Sequence, residues 1–168
     1  MVAWIKVRDI LLSLSGLLFF ACSPRTETVS VIEPTDLPKW TWPVLTHPSF
    51  QEKYTFYLTT NPFYLQADFD HDGFLDIAVL IKEKASGKLG LGLLRQQESK
   101  LTVLGAGEKK SLGGENWKWL RTWKTEAVLP AGSRVRPAGA VLILFPQEKD
   151  QDAPWLFWNG QNWEWKKD

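Results

Sequence analysis

The sequence predicts a mainly β fold, with α+β as the alternative, and three observations favour this class. Short runs rich in aromatic and β-branched residues recur between turn-forming residues. Short turn clusters join several of these runs, and connections this short are typical of antiparallel strands. An Asn-Gly pair near the C-terminus separates two tryptophan-rich runs, which is a strong hairpin signal. We expect an antiparallel meander sheet, a C-terminal Trp-rich hairpin and at most one or two short helices.

The predicted meander consists of four strands joined by short connections. Phe63–Ala67 and Ile77–Ile81 flank an acidic loop, and Leu89–Leu94 and Leu101–Leu104 follow after turn clusters. Connections this short join antiparallel neighbours. Because Ile77–Ile81 is apolar on both faces, we expect it to be the central, buried strand.

Three further segments complete the predicted strands. Tyr54–Thr59 precedes the meander, and Val141–Phe145 follows it and is ended by a proline. The C-terminal hairpin joins Trp155–Trp158 to Asn162–Trp165.

Helix is left open at two places. His47–Lys53 and Asn116–Lys124 are each long enough for two helical turns. In the second segment Trp117, Trp119 and Trp123 suit one face of a strand, whereas the last two alone suit a helix.

The N-terminal residues have the features of an export signal. Lys6 and Arg8 precede Ile10–Ala21, a run of small and apolar residues that is too short to span a bilayer. The run ends at Ala21-Cys22-Ser23, which contains the only cysteine of the chain. A single cysteine excludes an intramolecular disulfide and a CxxC zinc or redox site.

This junction resembles the bacterial lipoprotein signal, in which a cysteine after a small residue is lipidated on its thiol and becomes the new N-terminus. The resemblance implies lipidation at Cys22, a membrane partner held through that lipid, and an extracytoplasmic location in the bacterial cell envelope. The alternatives are ordinary cleavage, which gives a plain secreted β domain, and an uncleaved anchor. We therefore expect a signal peptide at 1–21, a lipidated cysteine and proline-containing tether at 22–39, and one β-rich domain at 40–168.

The charge balance argues against a nucleic-acid partner. The 168 residues carry 20 Lys and Arg against 19 Asp and Glu. Removal of residues 1–21 takes away Lys6, Arg8 and Asp9, which leaves 18 charges of each sign. Nucleic-acid binders need a surplus of cations to displace phosphate counterions, and this chain has none.

The loop DFDHDGFLD, Asp68–Asp76, has the spacing of a calcium site. Its carboxylates stand at offsets 0, 2, 4 and 8, with a glycine at offset 5. In a tightly curled loop alternate residues point inward, and the glycine permits the sharp turn. Oxygen ligands in a flexible shell favour Ca²⁺ over Mg²⁺. The sequence therefore predicts one Ca²⁺ ion in a calcium-loop hairpin, held by Asp68, Asp70, Asp72, the carbonyl of Phe74, and Asp76.

Two features set this loop apart from an EF-hand. Val79 stands where the EF-hand has its bidentate Glu, and a strand follows the loop instead of a helix. In both respects DFDHDGFLDIAVL resembles the calcium loops of FG-GAP repeats, although a single copy implies no propeller. The missing Glu predicts a modest Kd of roughly 0.1–1 mM. The alternative is a plain hairpin turn with solvated acids.

A broader resemblance covers most of the predicted domain. AVLIKEKASGKLGL after the loop, ENWKWLRTW and the closing WNGQNWEW together resemble a group of small exported bacterial proteins of unknown function. This resemblance implies no activity.

Four tryptophans of the C-terminal hairpin are candidates for a ligand-binding face. Tryptophan faces can bind sugar rings, so a glycan or an envelope protein is a candidate partner of Trp155, Trp158, Trp163 and Trp165. Alternatively, these residues form cross-strand pairs that lock the hairpin and cap the core.

The chain has two histidines, and no acid outside the loop is marked out for catalysis. We expect no enzyme, with a small envelope hydrolase acting on glycans as the alternative.

Overall fold

A computed structural model of the chain describes residues 36–127, 138–148 and 152–166. These residues form two antiparallel sheets and two short helices, which confirms the predicted mainly β fold. The helices are α1 (Trp42–Leu45) and α2 (Pro48–Lys53). The strands are β1 (Tyr54–Phe56), β2 (Tyr64–Ala67), β3 (Asp76–Glu83), β4 (Leu89–Arg95), β5 (Lys100–Gly105), β6 (Leu120–Glu126), β7 (Val141–Pro146), β8 (Trp155–Trp158) and β9 (Trp163–Lys166).

The first sheet contains the predicted meander, in which β2, β3, β4 and β5 pair antiparallel in chain order. Strand β3 is central, because β4 pairs with one of its edges and β1 and β2 share the other. Its first six residues are buried. The continuous apolar run after the acidic loop is thus explained by burial on both faces.

The second sheet has the order β6-β7-β8-β9 and ends in the predicted tryptophan-rich hairpin. In the hairpin loop Gly160 has a φ of 99°, which a residue with a side chain rarely adopts. The Asn159 side chain accepts hydrogen bonds from the amides of Gln161 and Asn162, both at 2.8 Å. The loop is therefore held by the turn chemistry that Asn-Gly predicts.

Two apolar clusters stabilise the first sheet, one on each face. The cluster between the two sheets includes Leu80 and Leu91 from the first sheet and Leu142 and Leu156 from the second. The opposite face of the first sheet is covered by the helical segment. Members of this second cluster include Leu37, Leu45, Phe50, Ile77, Val79 and Ile81.

The structure resolves the two open helix predictions in opposite ways. Helix α2 forms within His47–Lys53, where the His47 ring nitrogen accepts a hydrogen bond from the Ser49 amide at 3.3 Å. The Asn116–Lys124 segment contains no helix, and β6 begins at Leu120. Pairing with β7 provides the backbone hydrogen-bond partners that a short isolated helix would have to supply itself.

The packed part of the chain begins before residue 40. Leu37 is 3% exposed and belongs to the cluster under the helices. Its carbonyl accepts a hydrogen bond from the indole of Trp42 at 3.2 Å. The last residues of the range assigned to the tether thus contribute to the core.

Candidate metal centre

The acidic loop connects β2 to β3. Ala67 pairs with Asp76 at the end of the β2–β3 ladder, so antiparallel pairing holds the two ends of the loop side by side. Asp68 follows directly after β2, and Asp76 is the first residue of β3. The sheet therefore brings the first and last predicted ligands together.

Three of the predicted carboxylates converge in this loop. One oxygen each of Asp68, Asp70 and Asp76 lies within 4.8 Å of the others. Asp76 is fully buried, while Asp68 and Asp70 are partly buried. Such a group of oxygens can hold a metal ion.

Hydrogen bonds from the loop backbone to Asp68 maintain the curl. The amides of Asp72 and Gly73 donate to the two Asp68 oxygens at 3.1 and 3.0 Å. Gly73 has a φ of 87°, which permits the chain to turn back on itself. Because a carboxylate oxygen has two lone pairs, both oxygens keep acceptor capacity for a cation.

Burial and backbone contacts give Asp76 unusual properties. The Phe69 amide donates to Oδ2 at 3.1 Å, and the Gln96 amide donates to Oδ1 at 2.9 Å. Burial, reinforced by the negative charges of Asp70 and Asp72, raises the pKa of Asp76 to about 6. The two amide hydrogen bonds oppose this rise. The two amides therefore hold the Asp76 carboxylate in place, but neither of them supplies a full positive charge to balance its ionised form.

Asp70 has one paired oxygen and one buried oxygen without a partner. Oδ2 lies 3.2 Å from the Arg95 guanidinium, whereas Oδ1 has no hydrogen-bond partner within the described residues. Arg95 also pairs with Glu98 and stacks on Trp158, with its guanidinium carbon 4.0 Å from the ring centroid. The arginine thereby links the acidic loop to the tryptophan-rich hairpin.

Sequence reasoning missed Arg95 because no motif contains it. The one signal in the chain is its position at the end of β4, one residue beyond Leu94, which pairs with Ile77. That pairing places Arg95 beside the start of β3 and hence beside the loop.

The carboxylate of Asp72 is not one of the three that converge, and the predicted carbonyl ligand of Phe74 stays a prediction. Oδ1 of Asp72 accepts a hydrogen bond from the Phe74 amide at 2.8 Å. The side chains of Phe74 and its neighbour Leu75 are exposed. His71 is exposed, with its Nδ1 4.0 Å from an Asp68 oxygen and a φ of 62°.

The loop also rests on the second sheet. The Asp68 carbonyl accepts a hydrogen bond from the Ala140 amide at 2.8 Å. A Cβ placed on Gly139 would lie 2.3 Å from the same carbonyl oxygen, so the two backbones approach as closely as glycine allows. The segment leading into β7 thus fixes the first ligand of the group.

The four tryptophans of the predicted ligand platform do not share one face. Across the hairpin Trp158 pairs with Trp163 and Leu156 pairs with Trp165, so these side chains face the core between the sheets. Trp155 alternates with them and belongs to a separate cluster on the outer face of the second sheet.

Ring contacts account for the three inward tryptophans. The Trp158 and Trp163 ring centroids lie 5.8 Å apart, and Trp165 contacts Trp117 and Trp119 edge-on at 5.6 and 5.7 Å. These are the contacts expected of residues that lock the hairpin and cap the core.

The predicted lipidation site, Cys22, lies outside the described residues. None of the described helices is both long enough and apolar enough to cross a membrane. No family model, no curated protein and no solved structure matches the chain.

Proposed function

We propose that the protein is a membrane-tethered envelope lipoprotein whose β domain holds one structural Ca²⁺ ion and acts as a binding or structural module. The observation that carries the proposal is the convergence of Asp68, Asp70 and Asp76 within 4.8 Å. Backbone pairing, loop hydrogen bonds and contact with the second sheet all hold this arrangement in place. Side chains held in this way lose little conformational freedom when a ligand binds.

The local charge favours a divalent cation. Three ionised carboxylates carry a formal charge of −3, and the Arg95 guanidinium, which also pairs with Glu98, offsets this charge only in part. The buried Oδ1 of Asp70 has no partner within the described residues, and an ion between the three acids would provide one. An M²⁺ ion thus satisfies both the charge and the orphaned oxygen.

The pattern of the acidic loop supports Ca²⁺ over Mg²⁺. Four carboxylates and a backbone carbonyl in one loop offer the large, flexible oxygen shell that Ca²⁺ accepts, whereas Mg²⁺ demands a smaller, near-octahedral shell. At a Kd of roughly 0.1–1 mM and about 1 mM Ca²⁺, binding contributes roughly 0.4–1.4 kcal/mol to the free energy of unfolding.

The N-terminal sequence supports the envelope location. The apolar run that ends at Ala21-Cys22-Ser23 is typical of exported lipoproteins, and three prolines follow between Ser23 and Lys39. Modest calcium affinity suits a protein outside the cytoplasm, where extracellular modules work at similar Kd values.

A calorimetric titration of the chain from Ser23 to Asp168 with Ca²⁺ and, separately, with Mg²⁺ tests the proposal. We expect one Ca²⁺ per chain with a Kd of roughly 0.1–1 mM and weaker binding of Mg²⁺. No saturable heat with either ion, or equal affinity for both, would overturn the calcium assignment.

A further inference from the structure

We propose that Arg95 weakens calcium binding at the acidic loop and so holds the site in a low-affinity range. This inference rests on the proposed function, because it concerns the ion that the loop is proposed to bind. Arg95 is not one of the proposed ligands, so it acts on the ion through its charge. A loop weakened in this way is filled only where calcium is abundant, at roughly 0.1–1 mM, as in extracellular modules.

The Arg95 guanidinium and the proposed ion share one carboxylate. A guanidinium nitrogen lies 3.2 Å from Oδ2 of Asp70. The other oxygen, Oδ1, is buried and has no hydrogen-bond partner in the described part of the chain, so it is the oxygen open to a cation. Only the Asp70 carboxylate would then separate the ion from the guanidinium. Two positive charges this close together repel each other.

Burial strengthens this repulsion. The Arg95 and Asp70 side chains are 16% and 12% exposed. Water and dissolved salt therefore screen the two positive charges less than they would at an open surface.

Two contacts outside the acidic loop hold the arginine beside the site. The guanidinium pairs with Glu98, and its carbon lies 4.0 Å from the ring centroid of Trp158. Neither contact depends on Asp70, so both keep the positive charge in place when an ion draws the Asp70 carboxylate toward itself. Arg95 thus opposes the bound ion as well as pairing with the empty loop.

The acidic side chains do not need Arg95 to hold their positions. Backbone amides donate hydrogen bonds to both oxygens of Asp68 and to both oxygens of Asp76. Among the described residues, the ion pair with Asp70 is the one contact that joins Arg95 to the three converging carboxylates. Loss of the arginine therefore removes a repelling charge and leaves most of the oxygen shell in place, and the net effect is tighter calcium binding.

Calorimetric titration of the chain from Ser23 to Asp168 with Ca²⁺ tests the sign of this effect. Arg95→Gln should lower the Kd about tenfold, which corresponds to about 1.4 kcal/mol. Arg95→Lys keeps the positive charge without the planar guanidinium, so its Kd should stay within about threefold of the unmodified value. Arg121→Gln makes the same change of charge at an exposed position of β6 outside the loop, and it should leave the Kd unchanged.

Thermal melts supply a readout that a purely structural arginine would not move. In chelator, Arg95→Gln leaves the buried Asp70 carboxylate without its cation, so the Tm should fall. In Ca²⁺ the ion replaces that cation, so the calcium-dependent rise in Tm should be larger in the variant than in the unmodified protein. An arginine that only supported the fold would lower the Tm equally in both conditions.

The possible results separate this inference from the calcium assignment. A lower Kd in Arg95→Gln but not in Arg121→Gln supports the inference, even if the unmodified protein binds too weakly to measure. A Kd that is unchanged or higher in Arg95→Gln, or equally lowered in Arg95→Lys, would overturn the inference while calcium binding by the unmodified protein stands. Absence of saturable heat in the unmodified protein and in every variant would overturn both.

Discussion

Asp70 and Asp76 determine the electrostatics of the acidic loop. One oxygen of Asp70 pairs with Arg95, and the other is buried with no hydrogen-bond partner in the described part of the chain. Asp76 is fully buried between two donating amides. Both side chains gain more from a bound cation than exposed acids would, because burial weakens the screening of their charges. Their response to charge removal and to pH therefore distinguishes an ion site from a solvated turn.

Substitution of Asp70 by Asn should abolish most of the stabilisation by calcium. In chelator the variant loses the ion pair with Arg95 but also the repulsion among three converging carboxylates, so the calcium-dependent change in Tm is the quantity to compare. In Ca²⁺ the unmodified protein should gain a few degrees in Tm, about the size expected from 1 kcal/mol, and the variant almost none. Thermal melts monitored by circular dichroism measure both.

The matched control is Asp152→Asn, at an exposed aspartate outside the loop. It should retain the full calcium-dependent rise in Tm. Identical calcium responses in the Asp70 and Asp152 variants would show that Asp70 does not bind the ion.

Calcium should stabilise the protein more at pH 7 than at pH 5. Burial raises the pKa of Asp76 to about 6, so without calcium the folded state holds this proton more tightly than the unfolded chain does. The contribution of Asp76 to stability therefore falls as the pH rises from about 4 to about 6. Calcium binds the ionised form, so its affinity should fall about tenfold between pH 7 and pH 5.

Paired melts with Ca²⁺ and with chelator at several pH values check this prediction. The difference in Tm between the two conditions should shrink steadily below about pH 6. A difference that is constant from pH 7 to pH 5 would contradict a role for Asp76 as a ligand.

At the scale of elements, two hairpin loops offer a matched comparison. Gly73 in the acidic loop and Gly160 in the β8–β9 loop both have a positive φ, and a Cβ at either would meet no atom within 4 Å. Ala at either position should cost about 1 kcal/mol through backbone strain alone. Only Gly73→Ala should also weaken the calcium response. Backbone strain at this position would displace the amide that donates a hydrogen bond to an Asp68 oxygen.

Chemical denaturation with and without Ca²⁺ measures both quantities. Equal calcium responses in the two variants would mean that the curl at Gly73 does not shape the ion site.

Local patterns predicted most of the elements, for identifiable reasons. The meander follows from apolar runs separated by turn residues, and the final hairpin follows from Asn159-Gly160. The Asn116–Lys124 segment could not be decided from its sequence, since the same tryptophans suit a helix and a strand. Pairing with β7 makes the second half of this segment a strand, and a local pattern cannot reveal that pairing because β7 lies further along the chain.

The candidate site was predictable only where its residues are contiguous. The convergence of Asp68, Asp70 and Asp76 follows from their spacing in one loop. Arg95 and Gly139 contact that loop through sheet pairing and sheet packing, so no local pattern identifies them. The split of the tryptophans between two faces likewise depends on the register of β8 and β9.

At the scale of the whole molecule, the packing of two sheets could not be derived from periodicity. Alternation shows which side of a strand is buried, but it does not identify what lies against that side. Trp123 of β6 illustrates this point, since its indole donates to the Pro62 carbonyl of the first sheet's connection at 2.6 Å.

The proposed attachment to the membrane through Cys22 has its own test at the scale of the full chain. We expect Cys22→Ser to move the protein from the membrane fraction to the soluble extracytoplasmic fraction, because the acylated thiol is lost. Immunoblotting of cell fractions from a bacterial expression host measures this. Ser23→Ala, which keeps the cysteine, is the control and should remain in the membrane fraction.

Retention of Cys22→Ser in the membrane would indicate that residues 1–21 anchor the chain themselves. Release of both variants would contradict attachment through a lipid at Cys22.

A crystal structure of the domain grown with Ca²⁺ tests the central claim most directly. The account predicts one ion coordinated by oxygens of Asp68, Asp70 and Asp76 at 2.3–2.6 Å, with further oxygens completing six to eight ligands. Side chains turned away from one another at saturating calcium, with no ion among them, would contradict it.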